Sequence, residues 1–244
     1  MAKLKIKKND VWIDMTPMSD VMVLLLTFFM LSANFVKNEV VKVQTPKSKV
    51  EAKVPTSATL DIMIKPDTLN KGTADEKVIG RVFLGTDKVS TMTNALDNML
   101  KSEQFNKYAS AFKDTTENSP YGVFKKETQI GIPMKDLAEY LGKSYEDRSK
   151  LLKVNGVPLD SINGEASEFQ LWVKALKHGY KDWYDDFTKD MNDADKAAIP
   201  TKLDICIKAD KDTPYITFKK VIAELQDIME SRYKLLTEYK KEKE

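Results

Sequence analysis

The sequence predicts an α+β protein with a single N-terminal transmembrane helix, followed by a small domain whose two halves flank a mainly helical insertion. Residues 17–36 are the only stretch long and apolar enough to cross a bilayer. Residues 59–100 and 201–240 each combine strand-like alternation with a helical pattern, and residues 101–200 carry helical signals of their own. A chain of 244 residues has room for one such elaborated domain beyond the helix.

The predicted span begins at a favourable helix start, because Thr16 can cap free amides and Pro17 at the first helical position loses no hydrogen bond. Its twenty residues give a helix of about 30 Å, the hydrocarbon thickness of a bilayer. Lysines precede the apolar core, so a cleaved signal peptide is an alternative. A Thr-Pro turn and Asp20 beside the core, together with apolar continuation to Val36, favour a permanent anchor instead.

Asp20 is the candidate functional residue of the span. An ionised carboxylate at the centre of a membrane helix costs about 2.5–3.5 kcal/mol, so it needs a partner, water or a proton. The alternative is a carboxylate in the first turn, near the positive helix end, that reaches headgroup water. Asp20, Thr27 and Asn34 lie seven residues apart, so each is about 20° from the last around the helix. This polar stripe indicates a face directed to protein or to a hydrated path.

The orientation of the span in the membrane is predicted from the lengths of the segments on either side of it, not from their charges. Residues 1–16 are a short tail, and lysines lie both before and after the span, so the positive-inside count does not decide. A long region is exported largely regardless of its charge, which favours export of everything after residue 36. Residues 37–58 read as a tether, in which the alternation at Val41 and Val43 allows a short strand against a domain edge or a second copy.

The exported domain is predicted from its hydrophobic periodicity. Strands are expected at residues 59–64, 81–85, 203–208 and 233–237, and helices at 91–100 and 214–230. Thr213 and Pro214 predict a cap and a proline start for the second helix. Within residues 101–200, helices are expected at 134–141 and 167–189. The second carries an aromatic stripe that is most often core and otherwise a partner surface. The stripe comprises Phe169, Trp172, Val173, Leu176, Tyr180, Trp183 and Phe187.

Composition argues against several functions. The 39 Lys and Arg nearly balance 37 Asp and Glu, so nucleic acid is not an expected partner. With one cysteine, Cys206 in a strand where burial is expected, and one histidine, His178, the chain lacks the ligands of a typical zinc site. Asp210 and Asp212 fit turn and capping roles better than metal binding. Since no nucleophile and base set or phosphate-binding loop is present in the sequence, we expect neither an enzyme nor a cofactor.

Three segments resemble one family. The sequence IDMTPMSDVM at residues 13–22, followed by LLLTFFM at 24–30, resembles the N-terminal signature of the ExbD/TolR family of biopolymer-transport proteins. VKVQTP at residues 41–46 is similar to the family's V-x-V-x-L-P segment, with Thr45 replacing the usual leucine. IKADKDTPY at residues 207–215 resembles the family's strand-to-helix corner. The resemblance covers about half of the chain, and residues 101–200 look like an insertion relative to shorter members.

The resemblance implies a role for Asp20. It implies a cytoplasmic tail, one helix in the bacterial inner membrane and a periplasmic α/β-sandwich domain interrupted by the insertion. Asp20 then aligns with the aspartate that takes up and releases protons inside a pentameric ExbB/TolQ-like partner, with Thr27 and Asn34 as pore-facing support. Two copies of the chain would share that partner's pore. Proton flow would drive a TonB-like or TolA-like energy transducer, with protons as the coupling ion.

Three functions remain open at this point. The first is the proton-harvesting stator subunit of an ExbB-ExbD-like motor that energises TonB-dependent outer-membrane transport. The second is a TolR-like subunit that engages the cell wall and maintains envelope integrity. The third is a membrane-anchored periplasmic binding module, in which residues 101–200 hold a ligand and the helix is only an anchor.

Overall fold

The computed structural model describes residues 16–32, 41, 43–48, 55, 57–69, 77–152, 155–161 and 164–239. The chain divides into two units, Met1–Asn38 and Glu39–Glu244. The first unit contains helix α1, Thr16–Ser32, which begins one residue before the predicted Pro17. Residues 33–36 of the predicted span lie outside the described residues.

No helix in the described part of the chain combines the length and the apolar character needed to cross a membrane.

The second unit is built on a mixed five-stranded sheet with the order β4-β3-β2-β5-β6. Antiparallel pairing joins β2 to β3 and β3 to β4, and parallel pairing joins β2 to β5 and β5 to β6. A separate two-stranded parallel ladder joins β1 to β7. The strands are β1 Lys47–Ser48, β2 Thr59–Leu69, β3 Lys77–Thr86, β4 Gln129–Ile130, β5 Asp204–Ala209, β6 Tyr233–Leu235 and β7 Glu238–Tyr239.

Seven α-helices and one 3-10 helix are described around this sheet. Four of the α-helices begin at a side-chain cap: Ser119, Ser144, Ser167 and Asn192 each accept a hydrogen bond from the amide three residues later. The helices are α2 Val89–Lys101, α3 Pro120–Phe124, α4 Met134–Leu141, α5 Tyr145–Leu152, α6 Glu168–Thr188, α7 Asp193–Ala197 and α8 Tyr215–Asp227, with the 3-10 helix at Asn106–Phe112.

The mixed α+β prediction is confirmed, with shifts at some element ends. The helix expected at 134–141 is found at those residues, and β2 and β3 extend past the predicted strands because they form a long hairpin. One capping prediction is wrong. Thr213 does not cap α8; its hydroxyl donates to the carbonyl oxygen of Ile64, 3.2 Å away, and Pro214 occupies the cap position.

The larger part of the core lies on one face of the sheet, and Met63 and Phe83 are buried on the other. On the first face, alternate residues of β2 are fully buried, as are most of their partners on β3 and β5. On β3, Gly80 lies on this same face, and its amide donates to the Thr217 hydroxyl of α8. Helix α6 packs against both α2 and α8 and completes the layer. The buried strand residues are Leu60, Ile62, Ile64, Val82, Leu84, Ile205 and Ile207.

Residues 101–200 share this core. They supply β4 to the sheet and α6 to the helical layer, and Phe124 stacks with Trp172 of α6 at 6.5 Å between ring centroids. Glu39–Glu244 accordingly forms one compact unit rather than two. The interpretation of residues 101–200 as an insertion relative to other family members stays a prediction.

The second face of the sheet carries ion pairs. Asp61 pairs with Lys208 at 2.9 Å, Asp67 with Arg81 at 2.6 Å and Asp204 with Lys234 at 2.7 Å. Each pair joins neighbouring strands and is partly exposed, so it contributes little stability and mainly favours this register. Cys206 lies between them and is fully buried, as expected from the sequence, and burial raises the pKa of its thiol to about 11.

Helices α2 and α6 approach closely at Gly179. A Cβ atom there would lie 2.7 Å from the carbonyl oxygen of Thr91 and 2.8 Å from the amide nitrogen of Ala95. The side-chain amide of Asn94 donates to the Gly179 carbonyl across the same contact, at 3.2 Å. A side chain at Gly179 would therefore force the two helices apart.

We expect Gly179→Ala to lower the free energy of unfolding by about 1–3 kcal/mol, the usual effect of overpacking a core, because backbone atoms cannot move aside. Urea unfolding followed by tryptophan fluorescence measures this change. Gly142→Ala is the matched control, since the nearest atom to its Cβ is 3.6 Å away. Equal stability of the two variants would contradict the close approach of α2 and α6.

Glu168 links α6 to α4 from a buried position. Its Oε1 accepts the Met134 amide at 2.7 Å and the Trp172 indole N–H at 3.3 Å. Burial raises the pKa of this carboxyl to about 7, and the two hydrogen bonds only partly oppose that effect. The folded state therefore binds a proton more tightly than the unfolded chain.

Because the pKa of Glu168 is higher when folded, stability contributed by its protonated form is present below about pH 4.5 and is lost as pH rises to about 7. The loss is roughly 3 kcal/mol. We expect Glu168→Gln to remove most of this dependence in urea unfolding measured between pH 4.5 and pH 8. Glu146→Gln, an exposed site on α5, should keep the wild-type slope. An unchanged slope in Glu168→Gln would contradict the assignment.

Candidate functional site

Helix α1 exposes apolar side chains on all sides. Each described side chain from Met18 to Met30 is exposed, and its large apolar side chains have between 51% and 72% of their surface accessible. An exposed apolar surface of this extent marks a site that contacts another protein or lipid. Helix α1 thus presents an interaction surface along its described length.

Asp20 lies in the second turn of α1. The first-turn position, which belonged to the alternative interpretation of Asp20, is wrong, because the helix begins at Thr16 and Asp20 is its fifth residue. The carboxylate is exposed, and no hydrogen-bond or ion-pair partner is described for it within residues 16–32 or the described part of the second unit.

Thr27 shares the Asp20 face of the helix, two turns further along. Its hydroxyl donates to the Leu24 carbonyl oxygen at 2.9 Å, so its hydrogen is already used within the helix, while its oxygen can still accept a bond. Asn34 lies outside the described residues. Helix α1 therefore carries two of the three predicted stripe residues.

Two sequence segments that carry the family resemblance meet in the second unit. The Gln44 amide donates to Oδ2 of Asp210 at 3.0 Å, and the Lys211 amide donates to the Gln44 carbonyl at 3.0 Å. The strand considered at Val41 and Val43 forms instead at Lys47–Ser48, which pairs with β7. We call the contact of Gln44 with Asp210 and Lys211 the tether anchor.

Asp210 organises the corner between β5 and α8. Its amide donates to the Ile64 carbonyl at 2.9 Å, which ties the corner to the central strand. Its second carboxylate oxygen accepts the Asp212 amide at 3.2 Å and closes the turn. The side chain of Asp210 thus acts as a turn residue and as one half of the tether anchor.

Gln129 makes two long-range contacts that the sequence did not indicate. Its Oε1 accepts the amide of Val41, 3.4 Å away, and Val41 is buried. Its side-chain amide also contacts the sulfur of Met63, 4.0 Å away, on the second face of the sheet. These contacts join residues 66 and 88 positions apart, and no local pattern around Gln129 signals them.

The aromatic stripe of α6 divides into a buried part and an exposed end. Phe169, Trp172, Val173, Leu176 and Tyr180 are buried, which confirms the core prediction for them. The last turns differ. Trp183 is half-buried and stacks at 4.9 Å on Phe187, which is 49% exposed.

The comparisons with known proteins support the family resemblance of the three sequence segments. The family model described as Biopolymer transport protein ExbD/TolR matches residues 7–240, which includes α1, the tether anchor and the whole sheet. The comparisons with curated proteins and with solved structures find no match. Because the family model spans nearly the whole chain, the chain belongs to the ExbD/TolR family of biopolymer-transport proteins and is an energy-coupling subunit of that kind.

Proposed function

We propose that this protein is the stator subunit of an ExbB-ExbD-like motor in the bacterial inner membrane. It harvests the proton-motive force to energise TonB-dependent outer-membrane transport. The observation that carries the proposal is α1, an exposed apolar helix with one carboxylate in its second turn, in a chain of this family. The role is energy coupling and not a covalent reaction, and it uses protons with no bound cofactor.

In this proposal residues 17–36 cross the membrane, with residues 1–16 in the cytoplasm and the sheet domain in the periplasm. A pentameric ExbB/TolQ-like protein covers the apolar surface of α1, and two copies of the chain occupy its pore. This arrangement suits the exposure of the described side chains from Met18 to Met30, since a protein surface and the surrounding lipid remove them from water.

Asp20 carries the proton. A carboxylate binds a proton in dry surroundings and releases it to water, so movement of α1 between two environments couples protonation to motion. A charge that crosses the membrane potential gains about 2.3 kcal/mol per 100 mV, enough to bias such a movement. Thr27, on the same face, and Asn34 support a hydrated path beside Asp20.

The tether anchor passes motion of the helix to the domain. Gln44 is bound through Asp210 and Lys211 to the corner that also holds the central strand β2, through the Ile64 carbonyl. A pull on the chain that follows α1 therefore reaches the sheet through the Asp210 carboxylate and through the backbone hydrogen bonds made by the Lys211 and Asp210 amides. The domain then acts on a TonB-like or TolA-like transducer.

We expect Asp20→Asn to abolish proton uptake, because the amide keeps the shape of the side chain but cannot ionise. Asp20→Glu should retain part of the uptake. The measurement is proton uptake by vesicles that contain the protein with its co-purified multi-span partner. Thr27→Val and Asn34→Leu are expected to reduce uptake without abolishing it.

Normal proton uptake by Asp20→Asn, inserted and complexed as the wild type is, would exclude the proton-carrier role. Recovery of the wild-type protein from mild detergent without any multi-span partner would exclude the stator and favour the anchored binding module. Growth on iron chelates, compared with growth in detergent, separates the TonB-linked role from the TolR-like role. Loss of growth on iron chelates in the Asp20→Asn variant supports the proposal.

Asp210→Ala is expected to release the tether anchor, because it removes the acceptor for the Gln44 amide. The loss should cost about 0.5–1.5 kcal/mol of local stability. Hydrogen exchange should speed up at Gln44, and proton-driven transport should fall. Asp212→Ala is the matched control, since Asp212 takes part in the turn through its amide. Transport at the wild-type rate despite fast exchange at Gln44 would exclude the anchor as a path for force.

A further inference from the structure

A cavity lies beside α6, and no residue of the tether anchor lines it. Its volume is about 560 Å³, within the range of small-molecule sites. One wall is the second half of α6, and the other is the segment Thr201, Lys202 and Leu203 with Glu230. We call this cavity the α6 cleft.

Lysines line the α6 cleft. Lys174, Lys177 and Lys181 lie three and four residues apart on α6 and so share one face, and Lys202 lies on the opposite wall. Lys177 is paired with Glu230. Among the ion pairs described in residues 77–152 and 164–239, none involves Lys174, Lys181 or Lys202.

The balance of charge in the α6 cleft favours an anion. Four lysines face two carboxylates, those of Asp185 and Glu230, and one of these two is already neutralised by Lys177. His178 also lines the cleft and offers a further polar contact. Two such carboxylates beside four ammonium groups do not make a metal site, because the lysines repel a cation.

The floor of the α6 cleft is apolar and fixed in place. Tyr180 and Leu203 are buried, and Tyr184 is half-buried beside them. The Tyr180 hydroxyl donates to the carbonyl oxygen of Pro200 at 2.5 Å, which holds the segment before Thr201 against α6. The cleft is therefore formed before any ligand arrives, which reduces the cost of binding.

From this geometry we propose that the α6 cleft binds a dicarboxylate with an apolar middle. Lys174 and Lys181 are two helical turns apart, about 10.5 Å along α6, and each takes one carboxylate. The apolar middle of the ligand lies over Tyr180, Tyr184 and Leu203, and Lys202 closes the opposite side. This site is independent of the proton-carrying role proposed for Asp20.

The test is isothermal titration calorimetry of the full-length protein in a non-ionic detergent at low salt. The probe is azelate, whose carboxylates are separated by seven methylene groups. We expect a Kd of about 1 mM or tighter. Succinate, which lacks the apolar middle, should bind at least about tenfold more weakly. Azelamate, in which one carboxylate is an amide, should bind about two- to fivefold more weakly, the effect of losing one exposed ion pair. Raising the salt concentration should weaken azelate binding.

The double variant Lys174→Gln, Lys181→Gln should lose at least about tenfold in azelate affinity. Lys101→Gln with Lys113→Gln is the matched control, since both lysines are exposed and outside the cleft, and it should bind as the wild type does. No heat of binding with azelate, equal affinity of the cleft variant and wild type, or equal affinity for azelamate would each overturn the proposal.

A second probe distinguishes the source of the dicarboxylate. The capped peptide acetyl-Glu-Leu-Leu-Glu-amide carries the same two charges around an apolar middle. If it binds the wild type more tightly than azelate and loses affinity in the cleft variant, the ligand is an acidic peptide segment. If azelate binds more tightly, the ligand is a free dicarboxylic acid. Either result supports the site, while peptide binding that the cleft variant leaves unchanged counts against it.

Discussion

The parallel pairing of β2 with β5 is the contact on which the domain depends. It joins Leu60 to Ile205 and Ile62 to Ile207, residues separated by about 145 positions, and places all four in one core. Everything between the two strands must then fold into the space around the sheet. This explains why residues 101–200 provide both an edge strand and the central helix of the covering layer. Without β5, β2 would keep only β3 as its partner and would become an exposed edge of the sheet.

The same pairing creates the tether anchor. Because β5 ends beside β2, the turn at Asp210 lies next to the Ile64 carbonyl and can accept the Gln44 amide at the same time. The chain segment that follows α1 is thereby bound to the corner that is attached to the central strand β2. A coupling subunit needs such an attachment, since a force applied to a freely moving linker would not reach the sheet. In this respect the packing of the core and the proposed function have one origin.

The two charged regions of the protein differ in their physical character. Asp20 lies on a helix whose described surface is almost entirely apolar, so its single charge dominates the local electrostatics. The α6 cleft instead concentrates several lysines around an apolar floor, and water still reaches most of them. In the proposed function the first arrangement exchanges a proton, which needs no large site. The second favours a molecule that brings two negative charges and an apolar surface of its own.

Helix positions were predictable because apolar residues at helical spacing form one buried face, and this pattern does not depend on which element packs against it. The segments at 134–141 and 167–189 illustrate this, as do the buried aromatic residues of α6. Predictions that depended on a neighbour were less successful. Thr213 was expected to cap its own helix, but the adjacent end of β2 offers its hydroxyl the Ile64 carbonyl instead. The strand considered at Val41 and Val43 formed at Lys47–Ser48, where β7 supplies a partner.

The sequence by itself determined the α+β class, the family and the candidate residue Asp20, because periodicity and local signatures are written in consecutive residues. Only the tertiary structure decided that Gln44 binds Asp210, that Gln129 receives Val41, and that the lysines of α6 face Lys202 across a cleft. Each of these contacts joins residues far apart in the chain. Their partners are chosen by the order and register of the strands, which no local pattern specifies.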